Sequence, residues 1–170
     1  MQKKINFIDL GKHPITNNFL NFSNPKNEFF YNLKLIFNSE TKLVSLAKFV
    51  SPKKMFNEKY AHRASASKTM QVAYTKLAKL IKKEYKPESI LEIGSNDGVF
   101  IKHFKGINNL GVEPCKNLAL ITKKMGIKTY DDFWTYKLSK KIIKKHKRFD
   151  VIYSANTISH IHNLDETFRA

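Results

Sequence analysis

From Ser89 to Ala155, short apolar runs alternate with amphipathic segments, and no other feature of the chain constrains its fold as strongly. "SILEI", "NLGVE", "IKTY" and "FDVIYSA" have the length and composition of strands. "DGVFIKHF", "NLALITKKM" and "YKLSKKIIKKH" carry apolar residues at helical spacing. Strands separated by helices make a parallel sheet, because a parallel neighbour is reached only by a long crossover. The chain therefore reads as α/β, with a Rossmann-like parallel sheet of about four strands.

The first part of the chain follows another pattern. Tyr31, Leu33, Leu35 and Phe37 alternate with Asn32, Lys34 and Asn38, "NSET" offers a turn, and "KLVSLAKFV" resumes apolar character. A small β-hairpin domain is expected over residues 1–60, punctuated by Pro14, Pro25 and Pro52, ahead of a main domain over 61–170. A helix is predicted from Ser67 to Tyr85, with Ser65 or Ser67 as its N-cap. Its inner face would carry Met70, Ala73, Tyr74, Leu77, Leu80 and Ile81.

Composition narrows the function classes. No apolar run approaches the ~20 residues of a membrane span, and the first residues are polar too early for a secretory signal. The expectation is a cytoplasmic protein with no membrane partner. Cys115 is the single cysteine, which rules out an intrachain disulfide and a cysteine-built zinc site. Close to a helix N-terminus its thiol could be acidified, but a small buried hydrophobe is the favoured reading. The net charge of +17 suggests a polyanionic partner. Against that, the lysines lie on the solvated faces of predicted helices, and Arg63, Arg148 and Arg169 are the only forked phosphate ligands, so nucleic acid is disfavoured.

The stretch "ILEIGSNDGVF" carries the chemistry. A strand-end acid and two glycines are costly unless a ligand uses them. Gly94 would turn the backbone tightly, Gly98 would let the next helix approach the ligand, and Asp97 would present a carboxylate. The following strand ends in "GVEP", placing Glu113 where an acid can accept both hydroxyls of a ribose. Neither a dinucleotide fingerprint nor a P-loop is present. Acids beside the turn repel phosphate and suit a cationic nucleoside, and S-adenosylmethionine is one.

Together, "ILEIGSNDGVF", "GVEPCKNLA", "GIKTYDDFW" and "DVIYSANTISHIHNL" resemble the successive motifs of class I S-adenosylmethionine-dependent methyltransferases, specifically the sugar C-methyltransferases. "LGKHPITNNFL" and "SPKKMFNEKYAHRASASKTM" are similar to the segments flanking that family's small zinc-binding domain. The resemblance implies that Glu92, Gly94, Asp97 and Gly98 hold the methionine end of the cofactor, with Ser95 and Asn96 as the loop. It implies that Glu113 binds the ribose, Asp132 and Phe133 lie beside the adenine, and Asn156 lies near the transferred methyl. The implied reaction is methylation of carbon beside the carbonyl of a nucleotide-linked keto-deoxysugar, with a base taking the adjacent proton.

The chain departs from that pattern in three places. The second zinc-ligand pair of the family falls on Asn38 and Thr41 and the first before Met1, so no zinc is expected. A family tyrosine is replaced by His62, with Tyr60 retained, and these two become the candidate bases. The family's later catalytic segment has no counterpart before "DETFRA", so the methyltransferase domain reads as C-terminally truncated. Two further readings follow: a non-catalytic cofactor-binding remnant prone to self-association or completed by a second chain, and an RNA-associated methyltransferase. His160 and His162 are read as alternating residues leaving a strand and not as metal ligands.

Overall fold

A computed structural model describes residues 4–20 and 28–170, and Pro25 lies outside the described residues. The chain divides into two compact units between Phe56 and Asn57.

The first unit is an antiparallel sheet of β1 (Lys4–Pro14), β2 (Phe30–Asn38) and β3 (Val44–Leu46) in that order, followed by the short helix α1 (Pro52–Met55). β2 and β3 are the expected hairpin, with Leu35 opposite Leu46 and Phe37 opposite Val44. Strand β1 is not legible in the sequence. Its pairing with β2 shifts register between Asn6 and Ile8 and again between Asp9 and Lys12, so its apolar residues do not keep to one face with period two. At the second shift Gly11 adopts φ +77°, and its N–H donates to Asp9 Oδ1. In the β2–β3 turn Asn38 Oδ1 accepts from the Glu40 and Thr41 N–H groups at 2.9 and 3.2 Å, a side-chain-stabilised turn.

The second unit opens with α2 (Lys68–Tyr85), capped by Ser67 Oγ accepting the Met70 N–H. Its buried positions are Ala78 and Ile81, with Tyr74 and Leu77 partly covered. Leu80 is 53% exposed and Ala73 is also exposed, against expectation. The small Ala78 lets the helix come close to Ile90, Phe100 and Phe104, and that contact turns Leu80 outward.

The sheet consists of β4 (Ser89–Ile93), β5 (Asn108–Val112), β6 (Lys128–Tyr130) and β7 (Val151–Ser154), all parallel, in the order β6-β5-β4-β7. Helices α3 (Lys116–Lys124), α4 (Tyr136–His146) and α5 (Leu164–Arg169) complete the unit. This is the α/β, Rossmann-like sheet read from the alternation. β4 is buried along its whole length because both its faces are covered. Leu91 and Ile93 pack with Leu110, Val112, Leu138 and Ile142 on one face; Ile90 packs with α2, Phe100 and Phe104 on the other. At the base of the sheet Asp150 Oδ2 accepts from the Glu88 and Ser89 N–H groups and from Ser89 Oγ, joining the starts of β7 and β4.

Two local expectations are corrected. "DGVFIKHF" is not an α-helix but turns followed by a 3₁₀ segment, Ile101–Phe104. Val99, Phe100, Ile101 and Phe104 are all buried, and an α-helix would send three consecutive apolar residues to different faces. β7 ends at Ser154 because Asn156 takes φ +53°, and a 3₁₀ turn, Ile158–His160, follows. His160 and His162 therefore do not leave a strand.

Gly98 tests the packing below the site. It has φ +79°, and a Cβ there would sit 2.8 Å from Thr122 Cγ2 of α3. Gly98→Ala should lower stability by about 1–3 kcal/mol in urea unfolding. Gly106→Ala, at φ +99° with no atom within 4 Å of the added carbon, should lose less.

Candidate functional site

The chain builds β5 and β6 on one side of β4 and then returns to place β7 on the other, so the strand order reverses at β4. Beyond the carboxyl ends of strands at such a point lies a crevice suited to ligands. Gly94 leaves β4 at φ +74°, and the N–H groups of Gly94 and Ser95 both donate to Val112 O of β5, at 2.8 and 3.1 Å. A Cβ on Gly94 would collide with the side chain of Thr157, which follows β7. Glycine is thus required by the turn and by the approach of a neighbouring loop. Sequence reasoning singled out Asn156, which is exposed, and missed Thr157, the adjoining residue that reaches the turn.

Three carboxyl groups converge below this turn. Glu92 is 5% exposed and lies on the α2 side of the sheet. The Ile101 N–H donates to its carboxylate, while its Oε2 has no hydrogen-bond partner among the described residues. Burial, followed by the charges of Glu113 and Asp97, pushes the Glu92 carboxyl well above the usual range. Glu113 is also buried; its Oε2 accepts the Asn96 N–H at 2.8 Å and its Oε1 the Cys115 N–H at 2.9 Å. Burial raises its pKa, and those two backbone bonds oppose the rise. Asp97 accepts the Ser65 hydroxyl and backbone N–H.

Two phenols join the cluster, Tyr74, expected only as a packing residue of the helix, and Tyr153, not singled out in the sequence: burial and Glu92 raise Tyr74, and burial, Tyr74 and Glu92 push Tyr153 up to about 12. Tyr153 stands opposite Glu92 in the β4–β7 register, so period-two inspection of β7 could have found it. Ser95 Oγ is a second buried oxygen without a partner, packed toward Gly111. Buried acids with spare acceptor capacity are relieved by a cation or by hydroxyl donors.

The candidate bases are brought to the turn by their main chain. Asn96 Nδ2 donates to His62 O at 3.3 Å, its Oδ1 accepts the Ala64 N–H at 2.9 Å, and Asn117 Nδ2 donates to Tyr60 O at 2.8 Å. The Tyr60 and His62 rings meet edge-on, 6.4 Å apart. Ser65 and Asn117, which help hold this segment, were not anticipated as site residues; Ser65 entered only as a possible helix cap. Asp132 and Phe133 follow β6, two strands from Gly94, and the exposed Asp132 carboxylate accepts the Phe133 N–H. The Cys115 thiol is not acidified: burial and the Glu113 charge push its pKa up, so it is a packed and inert side chain.

Comparison with known proteins places this geometry. Residues 60–170 match a family model described as a methyltransferase domain. The chain belongs to that methyltransferase family. Residues 1–56 match a family model whose description reads "Putative zinc binding domain". A stretch of 79 residues, 45% of this chain, is 28% identical to the C-methyltransferase NovU of Streptomyces niveus. The aligned stretch spans 19% of the length of that relative. The resemblance read from the motifs therefore holds at the level of the methyltransferase family, and part of the chain is similar to a C-methyltransferase. No helix among the described residues of the chain is long and apolar enough to cross a membrane.

In the zinc-type unit the two positions where the resemblance places a ligand pair carry no thiolate or imidazole. Asn38 and Thr41 stand where ligands are expected; the Asn38 oxygen is taken by two turn N–H groups, and Thr41 Oγ1 accepts the Leu43 N–H. Amide and hydroxyl oxygens are poor substitutes for thiolates, and among the described residues no group of three or more His, Cys, Asp or Glu could hold a metal. Protein prepared with zinc in the medium should contain far less than one zinc per chain by elemental analysis.

The acid cluster makes a second prediction. A carboxyl whose folded pKa is raised contributes stability that is present below its unfolded value of about 4.3 and is lost as pH rises through the folded value. Glu92 and Glu113 should therefore destabilise the ligand-free protein as pH climbs from about 4.3. Glu92→Gln should remove the Glu92 share, so the stability difference between variant and parent should move in the variant's favour from pH 5 to 8, measured by urea unfolding across the range.

Proposed function

We propose that the methyltransferase domain binds S-adenosylmethionine at the Gly94–Gly98 turn and uses it to methylate carbon in a nucleotide-linked keto-deoxysugar. The observation that carries the cofactor is the unpartnered, buried Glu92 oxygen beside a glycine turn at the strand-order reversal. When bound, this cofactor supplies a methyl group on a cationic sulfur, together with an ammonium and a ribose. Glu92 and Ser95 offer it free acceptors at the methionine end. Glu113 keeps its two backbone bonds and uses the remaining lone pairs of its oxygens for ribose hydroxyls, so it both shapes the loop and receives the ligand. Asn96 and Asp97 hold the Ala64–Ser65 segment. Asp132 and Phe133 would flank the base and Asn156 the methyl group. His62 or Tyr60, positioned through their carbonyls by Asn96 and Asn117, takes the substrate proton.

Support for carbon as the acceptor is the similarity to a C-methyltransferase, together with the motif order in the sequence. A second reading, cofactor binding without turnover, is favoured by the way Asn96 and Asn117 hold His62 and Tyr60, through their main-chain carbonyls and not through their rings.

Calorimetry with S-adenosylmethionine and its demethylated product tests the cofactor site. Glu92→Gln should cost about 1.5–3 kcal/mol in binding, the value of a charge-assisted contact. Because a cationic ligand favours the ionised acid, affinity of the parent protein should rise with pH through the raised Glu92 range, and the Gln variant should lose that dependence. Equal affinity of parent and variant at every pH would remove Glu92 from the site. Saturable binding without methyl transfer to a nucleotide-linked keto sugar would select the second reading.

A further inference from the structure

A second polar cluster stands between β6 and α4. Tyr130 ends β6 and His146 ends α4; the Tyr130 hydroxyl lies 3.4 Å from His146 Nε2, and the two rings meet edge-on at 6.1 Å. Both side chains are partly buried, Tyr130 because its ring packs against the core that α4 covers. Exposed lysines surround the pair. Lys141 Nζ stands 5.5 Å from the centre of the Tyr130 ring, and Lys128, the first residue of β6, and Lys145 are near enough for their charges to act on the imidazole. Burial first, then those two charges, hold the His146 pKa below its ordinary value.

A histidine at the end of a helix ordinarily answers the partial negative charge of the last carbonyls, about half a unit. Here that role is more than filled, since Lys144, Lys145 and His146 share the last turn of α4. From Phe133 to Phe149 the chain has no aspartate or glutamate, and neither ion pair found among the described residues uses Lys128, Lys141 or Lys145. Asp131, which follows β6, is taken by Lys123 at 3.2 Å.

We infer that Tyr130, His146, Lys128, Lys141 and Lys145 form a binding site for the phosphate or diphosphate group of a small molecule. The floor supplies a hydroxyl and an imidazole N–H as directed donors, and the three ammonium groups supply charge. A dianion seated there relieves the repulsion among the lysines and favours the imidazolium form, so it binds with uptake of a proton by His146. His103, beside α2, shows what an ordinary lysine-flanked histidine looks like. Burial, Lys102 and Lys82 lower its pKa too, but the Thr75 hydroxyl it meets at 3.3 Å already donates to Gln71 O, so no hydroxyl donor is left for a ligand. The inference does not depend on the cofactor reading, because it uses none of the residues of the glycine turn.

The test is the titration of the His146 and His103 rings by nuclear magnetic resonance, with and without inorganic pyrophosphate, at an ionic strength held constant with sodium chloride. Pyrophosphate should move the His146 titration upward saturably and leave His103 where it is. Lys128→Gln combined with Lys145→Gln, both at exposed positions, should raise the His146 pKa without ligand, because two repelling charges are gone, and should weaken pyrophosphate binding at least tenfold. Tyr130→Phe keeps the ring in the core, removes only the hydroxyl, and should weaken binding severalfold. Equal movement of both histidines would mean general screening of a lysine-rich surface and would overturn the inference. So would an unmoved His146, or unchanged binding in the lysine double variant. A single-stranded RNA that moves His146 at a lower phosphate concentration than pyrophosphate does would overturn it as well, because the ligand would then be a nucleic acid backbone.

Discussion

Glu113 ties together the parts of the molecule on which the site depends. One of its oxygens accepts the N–H of Asn96 in the turn after β4, and the other accepts the N–H of Cys115 at the start of α3. Two loops from adjacent strands are thereby fixed to one buried carboxylate, and Asn96, held in the left-handed region at φ +49°, directs its amide to the segment bearing Tyr60 and His62. A neutral side chain could make part of this arrangement. Only a carboxylate offers an acceptor to each loop and still has lone pairs left, which is why one residue can serve the architecture and a ligand together.

How much of this was legible in the sequence follows from what each residue buries. β4 could be read because a strand covered on both faces is a continuous apolar run, and its interruption by Glu92 marked the one position where burial is expensive. α2 could be read because its cap, Ser67, and its length obey local rules; its rotation could not, since Ala78 faces the sheet for reasons of close approach and not of hydrophobicity. β1 was hidden by two register shifts. Thr157 and Ser65 were hidden because their roles come from residues that lie far away in the chain, Gly94 and Asp97, and no periodicity records such a meeting.

In the zinc-type unit the β2–β3 turn is closed by the chain's own groups: Asn38 accepts two N–H groups from within the same turn, and Lys42 takes the left-handed conformation at φ +60°. Each such bond is worth about 1 kcal/mol, far less than a structural zinc site. The remaining order of this sheet rests on the long β1–β2 pairing, although Phe7, Ile5 and Leu10 of β1 are exposed.

Holding Glu92 buried with an unused oxygen is a stability cost that the free domain carries, raised further by Glu113 and Asp97. The packing around it is what sustains that cost: Phe100 and Phe104 are fully buried, with Tyr153 stacked 4.0 Å from Phe100, and Gly98 is seated against α3. A ligand that offers a positive charge to Glu92 recovers the cost on binding, so part of its affinity comes from relieving the protein and not from new contact area. The same reasoning explains why the buried acids among the described residues, Glu92, Asp97 and Glu113, gather at the strand-order reversal. A group of like charges is tolerable where the backbone N–H groups of Ile101, Asn96 and Cys115 converge, and those donors exist because β4 and β5 end side by side there.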